Sequence, residues 1–362
     1  MVFVCVTVLI MLGTIILVIE TQLFALKWVR WSLNYLIYFY IRTLSFGEIK
    51  SLVKVLFVCT LITGLAYYLQ FFGVNLLTGR VDEARSMFEK TRYLNIPDLL
   101  SFFFVYFYLR KDIGEFKKIL FLSFWGGMFV FSMWRGGILK VAIMIGIYIF
   151  LRGKRNQLYY IFLGYFAYIF VINPMFQYRD RNKSQENGTF QEIKNIIVNP
   201  QKAYKDYLDA ESEGGNYAFR FAMVYERVLY LIDNPQYFPF GMGTIHEESP
   251  NQTFYFNLGT VNEKYKYGKG ILHSTDVELV TIICLYGFVG LFFYLLIYYV
   301  WIKKSISLLL KTNEPLIMLS ALTSFGYLVS LFNGNYIVGS YLENCIYFSI
   351  VSVICQKSYN EN

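Results

Sequence analysis

The sequence predicts an all-α, polytopic membrane protein with about ten transmembrane helices and one large extracytoplasmic loop. Hydrophobic residues make up 56% of the chain and charged residues 16%, whereas soluble domains carry about 25% charged residues. The apolar residues form long blocks, many of them near the roughly 20 residues that a helix needs to cross a hydrocarbon core. One polar stretch, residues 174–273, interrupts them and is far longer than ordinary connections.

The apolar blocks are predicted to be helices because, in lipid, every backbone amide must find its partner within the segment. The predicted spans are residues 2–19, 23–43, 52–72, 96–110, 119–134, 136–151, 157–173, 274–300, 315–333 and 336–355. Seven of them fall in residues 1–173 and three in residues 274–362, on either side of the loop at 174–273. Lys27, Arg30 and Asn34 interrupt the second block, which leaves open a nine-span alternative with the N-terminus outside.

The net charge of +8 is unevenly distributed. Residues 174–273 contain 11 Lys and Arg against 12 Asp and Glu, so the excess lies elsewhere. Much of it sits in three short connections: Arg110, Lys111, Lys117 and Lys118; Arg152, Lys154 and Arg155; and Lys303, Lys304 and Lys311. Basic connections of this kind are cytoplasmic in membrane proteins. The charge therefore predicts an orientation in the membrane and no nucleic-acid partner.

The sequence predicts neither a metal nor a cofactor. The five cysteines lie in or beside apolar blocks, and no Cys-x-x-Cys or His/Cys cluster occurs. His246 lacks the His-Glu-x-x-His spacing of a metal site and is predicted to be a surface residue of the loop. The glycines near Lys269 lack the remainder of a phosphate-binding loop, so this chain is not expected to use ATP itself.

Within the long loop, aromatic and aliphatic residues at helical spacing predict a helix over residues 217–232. The run Asp233-Asn234-Pro235 is expected to end it, and residues 239–243 are expected to form a tight turn.

Arg135 lies between two apolar blocks at their outer ends. An arginine near a membrane core costs at least a few kcal/mol unless it reaches water or has a partner. It is either an interfacial anchor beside Trp134 or a guanidinium directed at an anionic group, with Gly136 and Gly137 allowing close approach. Lys140, about one turn deeper, adds a second positive charge and favours the functional interpretation.

Arg220 and Arg227 lie on the predicted loop helix, with Glu226 beside Arg227. A surface Arg–Glu pair is the default explanation, and phosphate binding is the alternative, because Arg–phosphate contacts are strong and directional. The arginines of the first outer loop, residues 73–95, could likewise form surface ion pairs or bind phosphate. Its arginines are Arg80, Arg85 and Arg92, and the acidic residues among them favour a solvated face.

His273 ends the long loop and directly precedes the next membrane helix. A histidine titrates near neutrality and is therefore suited to act as a general base toward a sugar hydroxyl. The residues after it, Ser274, Thr275 and Asp276, are candidates for capping that helix.

Taken in order, these segments resemble the O-antigen ligase/polymerase family, which includes the Wzy-type repeat-unit polymerases. The family's Ser-Arg-Gly at an outer helix junction corresponds to Trp134-Arg135-Gly136, with Trp in place of Ser. Its loop arginine, helix, proline and Gly-x-Gly turn correspond to Arg220, Asn234-Pro235 and Gly241-Met242-Gly243. Its His-Asn and Gly-x-x-Gly helix correspond to His273-Ser274 and Gly287-Phe288-Val289-Gly290, where Ser replaces the Asn.

The resemblance implies a polymerase that joins undecaprenyl-diphosphate-linked oligosaccharide repeat units into O-antigen or capsular polysaccharide. It also implies a multi-pass protein of the inner (cytoplasmic) membrane that works among membrane lipids, with a chain-length regulator as a partner. Arg135 and Arg220 would hold the diphosphate, Arg227, Arg80, Arg85, Arg92 and Lys140 would assist binding, and His273 would deprotonate the acceptor. Two alternatives remain, a ligase acting on lipid A core and a polysaccharide flippase.

Overall fold

The computed structural model describes residues 36–70, 99–132, 135–153, 198–209, 216–242, 277–330 and 342–361, with isolated residues 74, 76, 96, 97, 256 and 258. The α-helices in this part of the chain are α1 (Ile37–Thr43), α2 (Phe46–Leu69), α3 (Leu100–Leu109), α4 (Glu115–Ser132), α5 (Arg135–Leu151), α6 (Pro200–Asp209), α7 (Asn216–Asp233), α8 (Glu278–Lys311), α9 (Pro315–Ser330) and α10 (Leu342–Glu361). A short 3-10 turn, Pro235–Tyr237, follows α7. The helical class predicted from sequence is confirmed for this part of the chain.

Local chemistry explains where the helix bounds depart from the predicted ones. Helix α2 starts six residues before the predicted block because Ser45 and Glu48 form a capping box: the Glu48 amide donates to the Ser45 hydroxyl (3.3 Å) and the Ser45 amide to the Glu48 carboxylate (2.7 Å). Helix α3 starts four residues late, after Pro97, whose carbonyl accepts from the Leu100 amide. The blocks predicted at 2–19 and 157–173 lie outside the described residues.

Two helices of the described part, α2 and α8, are long and apolar enough to cross a membrane. Only 22% of the most apolar window of α2 is buried, and Val55, Val58 and Ile62 are exposed along it. A core helix of a soluble protein would bury most of such a sequence. Helices α3, α5 and α9 are apolar but shorter.

The chain divides into two compact units. Unit 1 comprises residues 1–36, 183–299 and 330–345, and its described part includes α6, α7 and the first half of α8. Unit 2 comprises residues 37–182, 300–329 and 346–362, and includes α1 to α5, most of α9 and most of α10.

Aromatic packing holds α2, α3 and α4 together in unit 2. The ring of Phe57 lies 5.3 Å from Phe103 and 6.4 Å from Trp125, between centroids, and both partners are fully buried. The phenol of Tyr68 donates to the Phe124 carbonyl (2.6 Å), and Gly127 leaves the space that this phenol occupies. Edge-to-face aromatic pairs of this kind add about 0.5–1.5 kcal/mol each beyond their burial.

The basic connections gather at one end of unit 2. Lys50 forms a salt bridge with Glu314 (3.0 Å), and the Arg152 guanidinium lies 3.4 Å from the Met318 sulfur. Further contacts at this end join Lys118 to the Tyr108 ring, Tyr108 to Tyr148, Lys304 to the Tyr359 ring, and the Lys357 ammonium to the Leu44 carbonyl. The described residues of all three connections thus meet at the end where α2, α4 and α9 begin.

Candidate functional site at the loop helix and the broken helix α8

Helix α8 is broken at Gly287, where the backbone adopts φ 64° and ψ −165°. Because Cβ sterics make positive φ costly for other residues, glycine suits this position. The sequence had predicted a helical span over residues 274–300; α8 covers residues 278–300 of it and stays long and apolar enough to cross a membrane, but the expected unbroken helix is wrong at Gly287. Glu278–Tyr286 is a half-helix about 13 Å long, too short to cross a core about 30 Å thick.

The two parts of α8 fold back on each other. The Tyr294 hydroxyl donates a hydrogen bond to the buried Glu278 carboxylate and lies 3.1 Å from the Tyr298 hydroxyl. On a straight helix, positions 278 and 294 would lie roughly 24 Å apart, beyond the reach of the two side chains. Gly290 permits the reversal, since a Cβ there would collide with the Cβ of Tyr286.

The turn after α7 fills the break in α8. Its backbone carbonyls at Phe238 and Pro239 accept hydrogen bonds from the amides of Phe288 and Val289, both at 3.0 Å. In return, the Met242 amide donates to the Cys284 carbonyl at 2.7 Å. The Phe288 and Val289 amides and the Cys284 carbonyl, which the break removes from the helical ladder of α8, therefore have partners in the turn.

Two glycines make this contact possible. Gly241 has φ 75°, and a Cβ there would lie 2.6 Å from both the Cys284 carbonyl oxygen and the Gly287 amide nitrogen. A Cβ at Gly287 would collide with the Pro239 carbonyl and lie 2.5 Å from the Gly241 amide nitrogen. The tight turn predicted at 239–243 is confirmed through Met242. What the sequence did not reveal is that this turn and the Gly-x-x-Gly of α8 form one joint.

An ionic cluster packs beside this joint. Glu226 and Arg227 form a salt bridge (2.7 Å) in which both side chains are buried, at 9% and 1% exposure. The Glu226 carboxylate also accepts hydrogen bonds from the Tyr204 hydroxyl (3.0 Å) and the Leu258 amide (3.1 Å). The Arg227 guanidinium lies 4.2 Å from the ring centroid of Phe256.

The predicted pairing of Glu226 with one of the loop arginines is confirmed, but its predicted surface location is wrong. Tyr204 on α6 and the extended segment at Phe256 and Leu258 cover the pair. Burial lowers the pKa of Arg227, while the Cys284 thiol and the Glu226 carboxylate act in the opposite direction. The proximity of Cys284 places Arg227 against the first half of α8. The charge of Arg227 is largely committed to Glu226, which favours a structural role.

Arg220 lies on the same face of α7 as Arg227, seven residues or two turns earlier. It is half-buried. Helix α7 spans 216–233, within one residue of the helix predicted at 217–232, and Asn234 and Pro235 end it as expected. Of the two loop arginines, Arg220 is the more accessible to a ligand.

Helix α6 was missed by the sequence analysis, although its start carries a recognisable signal. The Asn199 side chain accepts from the Lys202 amide (3.1 Å), and Pro200 occupies the first helical position, where its missing N–H costs nothing. Through Tyr204, α6 supplies one of the groups that satisfy Glu226.

Arg135 and Lys140 both lie on α5 in unit 2. Arg135 begins the helix, in agreement with the predicted junction, and its side chain lies outside the described residues. Positions 135 and 140 are about 140° apart around the axis, so they do not share a face. Lys140 is buried at 6% exposure, with its ammonium 4.6 Å from the Tyr327 ring centroid in the space left by Gly326. Its assignment to substrate binding stays a prediction.

The remaining predicted site residues, His273, Arg80, Arg85 and Arg92, lie outside the described residues, as does His246. Within the described part, no three His, Cys, Asp or Glu side chains group as metal ligands would. The described part of the site holds three features. They are the half-buried Arg220, the buried Glu226–Arg227 pair, and the cluster of Glu278, Tyr294 and Tyr298 on the broken helix α8. No protein-family model, curated protein or solved structure matches this chain.

Proposed function

We propose that this chain is a multi-pass membrane glycosyltransferase. In this proposal it polymerises undecaprenyl-diphosphate-linked oligosaccharide repeat units into O-antigen or capsular polysaccharide at the outer face of the cytoplasmic membrane. The observation that carries the proposal is the joint between the turn at 235–242 and the break at Gly287. Two separate segments of the family resemblance meet there, beside a loop helix that bears Arg220.

The membrane orientation in this proposal draws on unit 2. Its three basic connections share one end, and basic ends face the cytoplasm. With that end inside, ten crossings return both termini to the cytoplasm and place residues 174–273 outside.

The chemistry requires fixed positive charge where the diphosphate leaves. Negative charge develops on the leaving diphosphate as the glycosidic bond breaks, so a preorganised guanidinium stabilises the transition state more than the ground state. Arg220 is the described arginine best suited to that role, with Arg135 as its proposed companion. His273 is the proposed general base that removes the proton of the acceptor hydroxyl.

One observation favours a second candidate function, a flippase. Broken helices with buried ionisable groups recur at the binding sites of transporters, and α8 with Glu278 has both features. A flippase would move the lipid-linked oligosaccharide intact, whereas a polymerase lengthens it.

The proposal is tested by reconstituting the purified protein in liposomes with a lipid-linked repeat unit, EDTA and no nucleotide. Lipid-linked products longer than one repeat are expected. Arg220→Lys keeps the charge but loses the planar guanidinium that can make two parallel hydrogen bonds to a phosphate, and should reduce the rate by at least about tenfold. His273→Ala should reduce the rate by about 10²–10⁴-fold.

The matched control is Lys205→Ala, which changes an exposed cation on α6 and should leave the rate unchanged. Translocation of intact substrate without any elongation would contradict the polymerase and support the flippase.

A further inference from the structure

The turn that fills the break in α8 carries an aromatic surface. Phe238 stacks on Phe288 with ring centroids 4.1 Å apart, and Phe240 is 61% exposed. The neighbouring face of α8 is also apolar and exposed, with Phe292 at 63% and Leu295, Leu296 and Tyr299 beside it. The turn and the helix therefore present one continuous apolar surface within unit 1.

The position of the joint along α8 sets its depth. The first lysine toward the C-terminal end of α8 is Lys303, 15 residues after Phe288, or roughly 22 Å along the axis. A hydrocarbon core is about 30 Å thick. If Lys303 marks the cytoplasmic boundary, the joint lies inside the outer boundary of the core. A tilted helix would place the joint deeper in the core. If the Lys303 side chain extends about 6 Å to reach the cytoplasmic interface, the joint lies roughly 28 Å from that interface and is still within the core.

The backbone of the joint is compatible with that depth. The Phe238 and Pro239 carbonyls and the Met242 amide are bonded to α8, and the Gly241 amide donates to the Tyr237 carbonyl at 2.8 Å. Irregular backbone at membrane depth requires such pairing within the protein.

We infer that the turn 235–242 is inserted into the outer leaflet, with Phe238 and Phe240 in contact with its acyl chains. The loop helix α7, which carries Arg220, would thereby be held at the membrane surface. The inference rests on the membrane placement of α8 in the proposed function, and on no catalytic step. Moving an aromatic side chain from water into lipid is favourable because apolar surface leaves water, which explains why a loop would retain an exposed Phe240.

The test places one nitroxide label on a cysteine at three positions in a chain whose own cysteines are replaced by serine. Phe240→Cys probes the turn, Gln236→Cys is the matched control on the exposed polar side of the same turn, and Phe292→Cys marks the lipid-facing helix. The proteins are reconstituted in phosphatidylethanolamine and phosphatidylglycerol liposomes. Power saturation then compares accessibility to oxygen, which concentrates in lipid, with accessibility to a water-soluble nickel chelate.

The oxygen-to-nickel ratio at 240 should match that at 292 and exceed that at 236 several-fold. If 240 behaves like 236 while 292 is in lipid, the turn lies in water, and the inference fails while the membrane placement stands. A nickel-accessible label at 292 would overturn the membrane placement itself. A label at 240 shielded from both reagents would mean that protein, such as a second copy of the chain, covers the turn, and would also overturn the inference.

Discussion

At the scale of single residues, the two loop arginines have different surroundings despite equivalent sequence contexts. Arg227 is covered by Phe256 and balanced by Glu226, whereas Arg220 stays half-buried two turns away. The sequence placed both on one predicted helix, which the structure confirms. It could not distinguish them, because the covering groups come from segments 23 residues before and about 30 residues after Arg227.

Glu226→Gln is predicted to destabilise the protein by about 3–5 kcal/mol. The amide keeps a single acceptor oxygen, so it can accept from Tyr204 or from Leu258 but not from both where they now lie, and Arg227 would keep an uncompensated charge in a buried site. The measurement is the temperature at which the buried Cys284 thiol becomes reactive toward a maleimide, with the other cysteines replaced by serine.

Asp233→Asn is the matched control for that experiment. It neutralises an exposed carboxylate on the same helix and should change the free energy of unfolding by less than about 0.5 kcal/mol. Equal effects of the two substitutions would mean that the Glu226–Arg227 pair contributes nothing specific.

At the scale of elements, the sequence predicted helices better than their breaks. Hydrophobic blocks and the Asn-Pro stop located α5 and α7 to within one residue, because these signals are local. The reversal in α8 depends on a turn more than 40 residues earlier in the chain, and an uninterrupted apolar run gives no sign of it. Gly241 and Gly287 were each noted in the sequence, but their mutual contact is a tertiary property.

Gly241→Ala is predicted to open the joint and destabilise unit 1 by more than about 2 kcal/mol. The methyl group would meet backbone atoms of Cys284 and Gly287 that cannot move aside, and the positive φ adds strain of about 1–3 kcal/mol. The measurement is again the temperature at which the buried Cys284 thiol becomes reactive toward a maleimide.

The control is Gly146→Ala, in the interior of α5 with no atom within 4 Å of the added methyl group. Alanine suits a helix interior better than glycine by about 0.5–1 kcal/mol, so this variant should be as stable as the parent or more so. A loss of stability in Gly146→Ala equal to that in Gly241→Ala would refute the joint as the cause.

A double-mutant cycle tests the reversal of α8. Glu278→Gln removes the charge of the acceptor and Tyr294→Phe removes the donor of one hydrogen bond to a carboxylate, so their effects on stability should be coupled, by up to about 1.5–3 kcal/mol. Tyr286→Phe paired with Glu278→Gln is the control, because positions 278 and 286 lie roughly 12 Å apart on the half-helix, and should be additive. Additivity of both pairs would indicate that α8 continues straight.

At the scale of the whole molecule, the architecture of unit 2 brings the basic connections to one end, and the orientation predicted from their charge rests on that end. Basic connections separated by up to about 200 residues share one end, a convergence that the positive-inside rule anticipates for alternating spans. The sequence predicted a number of spans and an orientation, and both stay predictions. It could not distinguish a complete crossing from the half-helix of α8, because hydropathy does not record where the chain reverses.

The orientation predicts which cysteines an impermeant maleimide can reach in right-side-out membrane vesicles. In a chain without its own cysteines, Lys202→Cys on α6 should react at once, because residues 174–273 are proposed to lie outside. Asn313→Cys in the α8–α9 connection and Lys111→Cys after α3 should react only once the vesicles are permeabilised, since both belong to the basic end of unit 2. All three positions are exposed, so a difference in labelling reports sidedness and not burial. Reversed labelling would place Arg220 on the cytoplasmic side, where a polymerase acting on exported lipid-linked sugars could not use it.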